Sequence, residues 1–108
     1  MNFEELEEKK RAYKEGIRNK ILNGEKLTGQ EVQDIVFGDV CSYVDEIKRE
    51  ERGRYGEIDI IIRVDKSYYC ISYNRGATDF QEDVFFPQIA VKVKRRIVSK
   101  YVWEVDNE

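Results

Sequence analysis

The 108-residue sequence has no histidine, one proline and two cysteines. Histidine is the usual general base near neutral pH and a frequent zinc ligand, so its absence excludes the hydrolytic triads that depend on it. Cys41 and Cys70 are too few for a disulfide scaffold and too far apart for a metal knuckle. We expect both cysteines to be small core residues, and we expect no metal and no cofactor.

Long apolar runs and an excess of basic charge are also missing. No segment has the length and apolarity of a membrane span, and the acidic N-terminal segment is unlike a signal peptide. We therefore expect a protein of the reducing cytoplasm without a membrane partner. The net charge of −3, from 19 basic and 22 acidic residues, opposes a general nucleic-acid binder but permits a local cationic patch.

The residues that are present predict one folded domain spanning 1–108. Apolar residues make up 41% of the chain and aromatic residues 12%, enough to bury a modest core. Charged residues reach 38%, which indicates a strongly solvated exterior.

Residues 1–38 predict a helical hairpin. Asn2 with Glu5, and Thr28 with Glu31, form two capping-box patterns, and the helices end near Asn23-Gly24 and Gly38. The second helix has no basic residue to meet phosphate, which disfavours a DNA-binding helix-turn-helix. The first helix carries an apolar stripe wider than a small sheet covers, so we expect a homo-oligomer. The stripe consists of Phe3, Leu6, Tyr13, Ile17 and Ile21.

Residues 43–105 predict an antiparallel sheet. The segment from Val40 to Glu51 fits either a helix or a strand, and a strand from about Tyr43 is favoured. A turn at 52–56 leads to a strand from Ile58 to Val64, then a tight connection at 65–67 and a partner strand from Tyr68 to Tyr73. Ile58, Ile60, Ile62 and Val64 would share one face.

The longest alternation runs from Ile89 to Val105 and predicts one bent strand, or two strands broken near Val98-Ser99. The expected fold is α+β, with two N-terminal helices packed on an antiparallel β-sheet.

Nothing in the sequence predicts catalysis. Asp79, Glu82 and Asp83 are clustered carboxylates, but no nucleophile or phosphate loop accompanies them, and we interpret them as a solvated acidic turn. The glycines at 53, 56 and 76 lack the spacing of a nucleotide-binding fingerprint. We therefore expect a non-enzymatic binding protein.

A row of cations is the most informative feature. Lys92, Lys94 and Arg96 share one face of the last predicted strand, whereas the pleat places Arg95 on the apolar face between Val93 and Ile97. A buried arginine needs a carboxylate or a phosphate to offset its desolvation. Two interpretations stay open: an internal salt bridge, to Asp59 or Asp79, and an anion site completed by a ligand.

Other polar and aromatic residues are expected to join this row. Arg54, Arg63 and Arg75 lie near predicted turns, and arginine forks suit phosphate. Tyr68, Tyr69 and Tyr73 offer either core packing or flat surfaces on which a base would stack. Arginine, tyrosine and amide side chains around one turn resemble a pocket for a phosphorylated nucleoside.

The segment from Arg54 to Gln88 resembles a group of small bacteriophage-encoded proteins. The similarity lies in an aromatic strand, then Gly76-x-Thr78-Asp79-x-Gln81, then an aromatic and a Pro87-Gln88 pair ahead of a cationic strand. The order of that pair departs from the Gln-Pro of the group. The sequence looks most like the Thoeris anti-defence family of phage sponges.

That resemblance implies an oligomeric α+β protein in the cytoplasm of a bacterial host that sequesters a cyclic ADP-ribose-type immune signal without cleaving it. It implies that Arg54, Arg75, Lys94 and Arg96 neutralise phosphate and that Tyr69 stacks on the base. Asn74, Asp79 or Gln81 would read polar edges, and Arg95 belongs to the same predicted site.

Other functions stay open beside this one. The acidic first helix would suit a protein–protein inhibitor of a bacterial defence complex, for example an anti-CRISPR. The row from Lys92 to Lys100 would suit a small RNA-binding phage regulator, although the acidic net charge opposes nucleic acid as a partner. A small enzyme would reveal itself by turnover of the ligand.

Overall fold

The computed structural model describes residues 2–48, 55–76, 82–99 and 103–106, and these contain two helices and six strands. The chain is α+β with antiparallel sheets and with both helices in its N-terminal part, as predicted. The elements, in chain order, are α1 (Phe3–Leu22), β1 (Lys26–Leu27), α2 (Gly29–Phe37), β2 (Ser42–Lys48), β3 (Tyr55–Val64), β4 (Ser67–Gly76), β5 (Gln88–Ile89) and β6 (Val91–Val93).

Both helices begin where the capping patterns predict. The Glu5 backbone N–H donates to Asn2 Oδ1 at 2.8 Å, and α1 ends at Asn23, followed by Gly24 with a φ of 70°. At α2 both halves of the capping box form, since the Glu31 N–H donates to Thr28 Oγ1 and the Thr28 N–H donates to Glu31 Oε1. These contacts satisfy N–H groups that a helix start otherwise leaves unpaired.

The strands form two sheets. The larger has the order β2-β3-β4-β6 with every neighbouring pair antiparallel, and β1 pairs with β5 in a separate two-stranded sheet. The β3–β4 hairpin turns at Asp65-Lys66, where Asp65 adopts a φ of 56°, and Val64 pairs with Ser67. Ser67 therefore belongs to a strand and not to the turn.

The hairpin is longer than the sequence predicts. β3 begins at Tyr55 and not at Ile58, and β4 continues past Tyr73 to Gly76. The reason is register: Tyr55, Gly56 and Glu57 pair with Gly76, Arg75 and Asn74, so two segments interpreted as turns supply each other with ladder partners.

The prediction of a strand, or two, over 89–105 is wrong in extent. Among the described residues of this segment, strands form at β5 and β6 alone, and residues 94–99 and 103–106 belong to no strand. β6 pairs with β4 from Cys70–Val91 to Tyr68–Val93, and β4 begins at Ser67. Beyond the Val93–Tyr68 pair only Ser67 of β4 remains, so from Arg95 onward the described chain lies past the end of the strand that β6 pairs with.

One hydrophobic cluster joins the helices to the inner face of the larger sheet. The predicted face of Ile58, Ile60, Ile62 and Val64 is buried, and Tyr69, Ile71 and Tyr73 of β4 lie beside it. The helices and the chain around them contribute Ile17, Ile21, Leu27, Val32, Ile35 and Val40. The helices place their apolar residues at the helical period of 3.6 and the strands at the strand period of 2, so each element has one apolar face and these faces pack together.

The apolar stripe of α1 is covered over its second half alone. Ile17 and Ile21 are buried, whereas Phe3 is 75% exposed and Leu6 and Tyr13 are also exposed. The Tyr13 hydroxyl donates to Asp34 Oδ2 at 2.5 Å and so ties α1 to α2. That carboxylate raises the pKa of Tyr13 to about 12.

The two cysteines are free thiols and are half-buried. Cys41 packs against the core, and its burial raises the pKa of its thiol to about 11. Cys70 pairs with Ile61 and Val91 on the opposite face of the sheet, so it lies outside the core expected for it. Among the described residues no helix combines the length and apolarity that crossing a membrane requires.

Candidate ligand site on the outer face of the sheet

The larger sheet has a second face that the helices do not cover, here called the outer face. Side chains of an antiparallel pair that are directly opposite point to the same side, so the ladder assigns Ile61, Tyr68, Cys70, Val91 and Val93 to this face. Ile47 of β2 also belongs to it, opposite Asp59. Ile47 is 48% exposed and Val91 61% exposed, which shows how open this face is.

A cavity of about 540 Å³ lies on the outer face. This volume is within the range of roughly 300–1,000 Å³ that small-molecule sites occupy. Its lining combines apolar strand residues with basic residues, namely Val44, Asp45, Ile47, Ile61, Tyr68, Val93, Lys94, Arg95 and Arg96. Three of the predicted site residues, Lys94, Arg95 and Arg96, are therefore brought together.

Local chain geometry explains this grouping. β6 ends at Val93, opposite Tyr68 near the start of β4, and the chain leaves the sheet at Lys94. The three basic residues consequently follow the last ladder pair and reach the cavity beside the Tyr68 ring. The Arg95 guanidinium carbon is 5.3 Å from that ring's centre, a cation–π contact worth about 0.5–1 kcal/mol at an exposed site.

The cations of this cavity have no carboxylate partner among the described residues, since no ion pair there involves Lys94, Arg95 or Arg96. Asp45 lines the same cavity, but its Oδ1 accepts the Glu46 backbone N–H at 2.8 Å. Three positive groups and one negative group therefore surround the space, and an anion entering it meets a net positive field.

Arg95 corrects the sequence prediction. It was expected to be buried on the apolar face between Val93 and Ile97, but it is exposed, as is Ile97. The pleat that would have buried it ends at Val93. No buried charge needs a partner here, and an internal salt bridge to Asp59 does not form; Asp79 lies outside the described residues.

Tyr69 is the second correction. Its side chain is 6% exposed and lies opposite Ile62 on the inner face, within the core. It is therefore not a platform on which a base stacks. Tyr68, one position earlier, faces the cavity instead.

Arg75 is already paired inside the protein. Its Nη2 donates to Glu46 Oε1 and to the Tyr73 hydroxyl, both at 2.6 Å, and its Nε donates to the same hydroxyl at 3.1 Å. The Tyr73 hydrogen bond and the Glu46 carboxylate raise the pKa of Arg75. This arginine fastens β4 to β2 and contributes no unneutralised charge.

Among the remaining predicted residues, the structure describes Asn74, and Asn74 does not border the cavity. Asn74 exchanges backbone hydrogen bonds with Val84 at 3.0 and 2.7 Å, and lies six positions along β4 from Tyr68. At about 3.3 Å per residue that separation is roughly 20 Å, so Asn74 and its neighbour Arg75 do not converge with the cationic row, whereas Arg63 lies opposite Tyr68. Arg54, Asp79 and Gln81 lie outside the described residues.

Gln88, part of the motif that carried the family resemblance, has a structural contact. Its Oε1 accepts the Ser72 N–H at 2.8 Å and its Nε2 donates to the Ser72 carbonyl at 2.6 Å. The Gln88 amide thus acts as a ladder partner for the β4 backbone beyond Cys70, where the pairing of β4 with β6 ends.

Sequence reasoning missed the β2 side of the cavity, Val44, Asp45 and Ile47. The sequence was nevertheless sufficient to predict which of Tyr68 and Tyr69 is buried. A two-residue turn sets Ile62 opposite Tyr69 and Arg63 opposite Tyr68, so the face of Ile58, Ile60 and Ile62 also determines which tyrosine is buried. In β2 the register shifts between Tyr43 and Asp45, so the residues before and after the shift do not follow one period-two pattern, and the face of each residue could not be predicted from alternation.

Within the described ranges, no cluster of three or more histidine, cysteine, aspartate or glutamate residues is arranged to hold a metal ion.

No protein-family model matches the chain, and neither the curated proteins nor the solved structures contain a match to it. The likeness to the Thoeris anti-defence family therefore stays a prediction from the residues that carry it.

Proposed function

We propose that this protein binds a small phosphorylated nucleotide in the outer-face cavity and withholds it from other proteins without converting it. Following the resemblance, the ligand is a cyclic ADP-ribose-type immune signal, and the protein acts as a phage or prophage sponge in the cytoplasm of a bacterial host. The fold supplies the pocket; the identity of the ligand comes from the sequence similarity alone.

One observation carries the proposal: a tyrosine ring and three cations that have no carboxylate partner in the described part of the chain border the same cavity. Arginine forks hold phosphate oxygens in two hydrogen bonds, and a tyrosine face stacks on a base. The Arg95 guanidinium lies over the Tyr68 ring. A phosphate that draws Arg95 away would free the ring for the base, so a single ligand would satisfy both groups.

Sequestration needs no chemical step. A site that binds the signal lowers its free concentration according to the number of sites and their dissociation constant. The apolar floor of Val44, Ile61 and Val93 would exclude water from one side of the ligand, and the basic rim would hold its anionic side.

The direct test is a thermal-shift and calorimetric screen with cyclic ADP-ribose isomers, cyclic dinucleotides, inorganic pyrophosphate and adenosine. A ligand at 100 times its dissociation constant stabilises a folded protein by about 2.7 kcal/mol, which is a readily measured rise in Tm. We expect a nucleotide to stabilise the protein more than pyrophosphate or adenosine does. No stabilisation by any of them at saturating concentration would refute the proposal.

Variants locate the site. Tyr68→Ala and Arg96→Ala are each expected to weaken nucleotide binding at least tenfold, because each removes one recognised part of the ligand. Arg11→Ala is the matched control, since Arg11 is an exposed arginine on α1 and does not border the cavity. Equal binding by Arg96→Ala and Arg11→Ala would place the ligand elsewhere.

A second candidate function rests on a different surface. The exposed start of α1 carries Phe3 beside Glu4, Glu7 and Glu8, an apolar and acidic combination that suits contact with a basic protein. This surface favours the protein–protein inhibitor of a defence complex, such as an anti-CRISPR. Charge reversals at Glu4 and Glu8 would then abolish anti-defence activity while Arg96→Ala would not.

A further inference from the structure

The outer-face cavity has an acidic side as well as a basic one. Among the described residues that line it, Asp45 of β2 is the only acidic one. β2 and β6 are the two edges of the larger sheet, and a single row of ladder partners crosses all four strands, namely Asp45, Ile61, Cys70 and Val91. At about 4.8 Å between neighbouring strands the two edges are roughly 14 Å apart, so Asp45 lies across the sheet from the cations that follow β6.

A β-bulge places Asp45 on this face. Tyr43 of β2 pairs with Ile62, and the next ladder pair is Asp45 with Ile61, so β2 advances by two residues while β3 advances by one. Had the register continued from Tyr43 without this shift, Asp45 would lie opposite Ile60, which is buried on the face that the helices cover. Bulges re-aim side chains in this way and are frequent next to active sites.

Among the described residues, none donates to the second oxygen of the Asp45 carboxylate. Oδ1 accepts the Glu46 backbone N–H at 2.8 Å, which orients the group, and Oδ2 has no such donor. No ion pair in the described part of the chain joins Asp45 to Lys94, Arg95 or Arg96. Since an ionised carboxylate accepts hydrogen bonds and donates none, Asp45 complements a ligand that carries a donor.

Tyr68 lies between the acidic and the basic side, and its position determines which part of a nucleotide reaches Asp45. β4, which carries Tyr68, is next to β6 on one side and to β3 on the other, and the Arg95 guanidinium lies over the Tyr68 ring. A base that stacks on Tyr68 while its phosphates meet the cations directs its far edge across β3 toward β2. The order phosphate, ring and ring edge then matches the order of cations, Tyr68 and Asp45.

We infer that Asp45 recognises the base: its carboxylate accepts a hydrogen bond from an exocyclic amino group of a base stacked on Tyr68. Adenine and cytosine carry such a donor, and aspartate accepts from an amino group of this kind when proteins bind DNA bases. A base with an oxygen at that position would lose the hydrogen bond and would set one acceptor against another, so attraction and repulsion both contribute to the selectivity. The inference deepens the proposed function and rests on it, because both concern the same cavity.

Titration calorimetry with cyclic ADP-ribose and with its inosine analogue tests the inference, because in the analogue an oxygen replaces the amino nitrogen of the base. The natural protein is expected to bind the adenine compound about tenfold more tightly. Asp45→Ala should bring the two dissociation constants to within about twofold of each other, by weakening the binding of the adenine compound. Asp45→Asn should also reduce the preference, because its amide is able to donate to the oxygen of the analogue.

Asp39→Ala is the matched control and should keep the full preference, since Asp39 is an exposed aspartate that does not border the cavity. Circular dichroism checks that each variant is folded. If the screen for the proposed function selects a cyclic dinucleotide, the same comparison uses cyclic di-AMP and its inosine counterpart.

The outcomes separate this inference from the proposed function. Equal binding of both compounds by the natural protein, or a preference that survives Asp45→Ala, would overturn the role of Asp45 and leave the proposed function intact. Binding of no nucleotide at all would refute the proposed function, and the role of Asp45 with it.

Discussion

β3 and the chain that follows β6 (residues 94–99 and 103–106, here called the arm) carry the same kind of sequence and have opposite structures. In β3 the alternating residues Ile58, Ile60 and Ile62 are at most 3% exposed. In the arm, Ile97 and Trp103 are more than 90% exposed. Both segments alternate with period two, so the difference does not come from local pattern.

The difference comes from neighbours. β3 lies between β2 and β4; it is paired with β4 along its whole length and with β2 from Ile58 to Arg63, and the helices cover its apolar face. The arm follows an edge strand and begins where that strand's partner ends. Alternation thus specifies that a segment is able to be a strand, whereas the length of the adjacent strand decides whether it becomes one within the chain.

The largest expected effect is the contrast between two isoleucines. Ile60→Ala should lower the free energy of unfolding by about 3 kcal/mol, because it removes buried methyl groups and leaves a cavity in the core. Ile97→Ala should change it by less than about 0.5 kcal/mol in dilute protein, since the side chain is exposed. Urea unfolding of both variants at a concentration that keeps the chain monomeric measures the difference.

Similar losses for the two variants would break the comparison. That result would mean that the arm packs on its own chain as firmly as β3 does.

The elements that local rules determine were predictable from the sequence. Both helix starts follow from side chains within three residues of the cap, Asn2 with Glu5 and Thr28 with Glu31. The buried face of β3 follows from its own alternation. β1 and β5 were not predictable, because two-residue strands carry no pattern and form where Lys26-Leu27 and Gln88-Ile89 meet in space.

The candidate site divides in the same way. Lys94, Arg95 and Arg96 are adjacent in sequence, so their grouping was predictable, and their cavity was not. The assignment of Arg75 to the same site failed because an antiparallel register places it at the far end of β4, beside Glu46. Pairing between strands that are distant in sequence decides both where the cavity forms and where Arg75 lies, and no short stretch of sequence reveals that pairing.

A second contrast sets a paired arginine against an unpaired one. Arg75→Ala should lower the free energy of unfolding by about 1–1.5 kcal/mol, since it removes hydrogen bonds to Glu46 and to the Tyr73 hydroxyl from a partly buried pair. Arg96→Ala should leave unfolding within about 0.5 kcal/mol of the intact chain. Thermal and urea unfolding without ligand compare the two.

Arg75→Lys refines that experiment. Lysine keeps the charge but loses the planar fork that reaches both partners, so it should restore less than half of the lost stability. Full restoration by lysine would show that charge alone matters at this end of the sheet. Destabilisation by Arg96→Ala equal to that by Arg75→Ala would show that Arg96 is paired within the protein after all.

The smallest expected effect compares two glutamates by their response to pH. Burial raises the pKa of Glu31, but hydrogen bonds from the Thr28 backbone and from Lys20 outweigh it, so the net pKa is lowered. A lowered pKa in the folded state means that the ionised form stabilises the protein above the unfolded pKa of about 4.3. That contribution is lost as the pH falls through the folded value.

Glu31→Gln should therefore lower the free energy of unfolding by about 0.5–1 kcal/mol at pH 7 and by progressively less below about pH 4, where the natural side chain is protonated too. Glu104→Gln, in the exposed arm, should leave the curve unchanged in the monomer. Urea unfolding between pH 3 and 7 gives both curves. If the Glu31 and Glu104 variants traced the same curve, the capping carboxylate would add nothing beyond its hydrogen bond, and core and arm would not differ in how the fold uses charge.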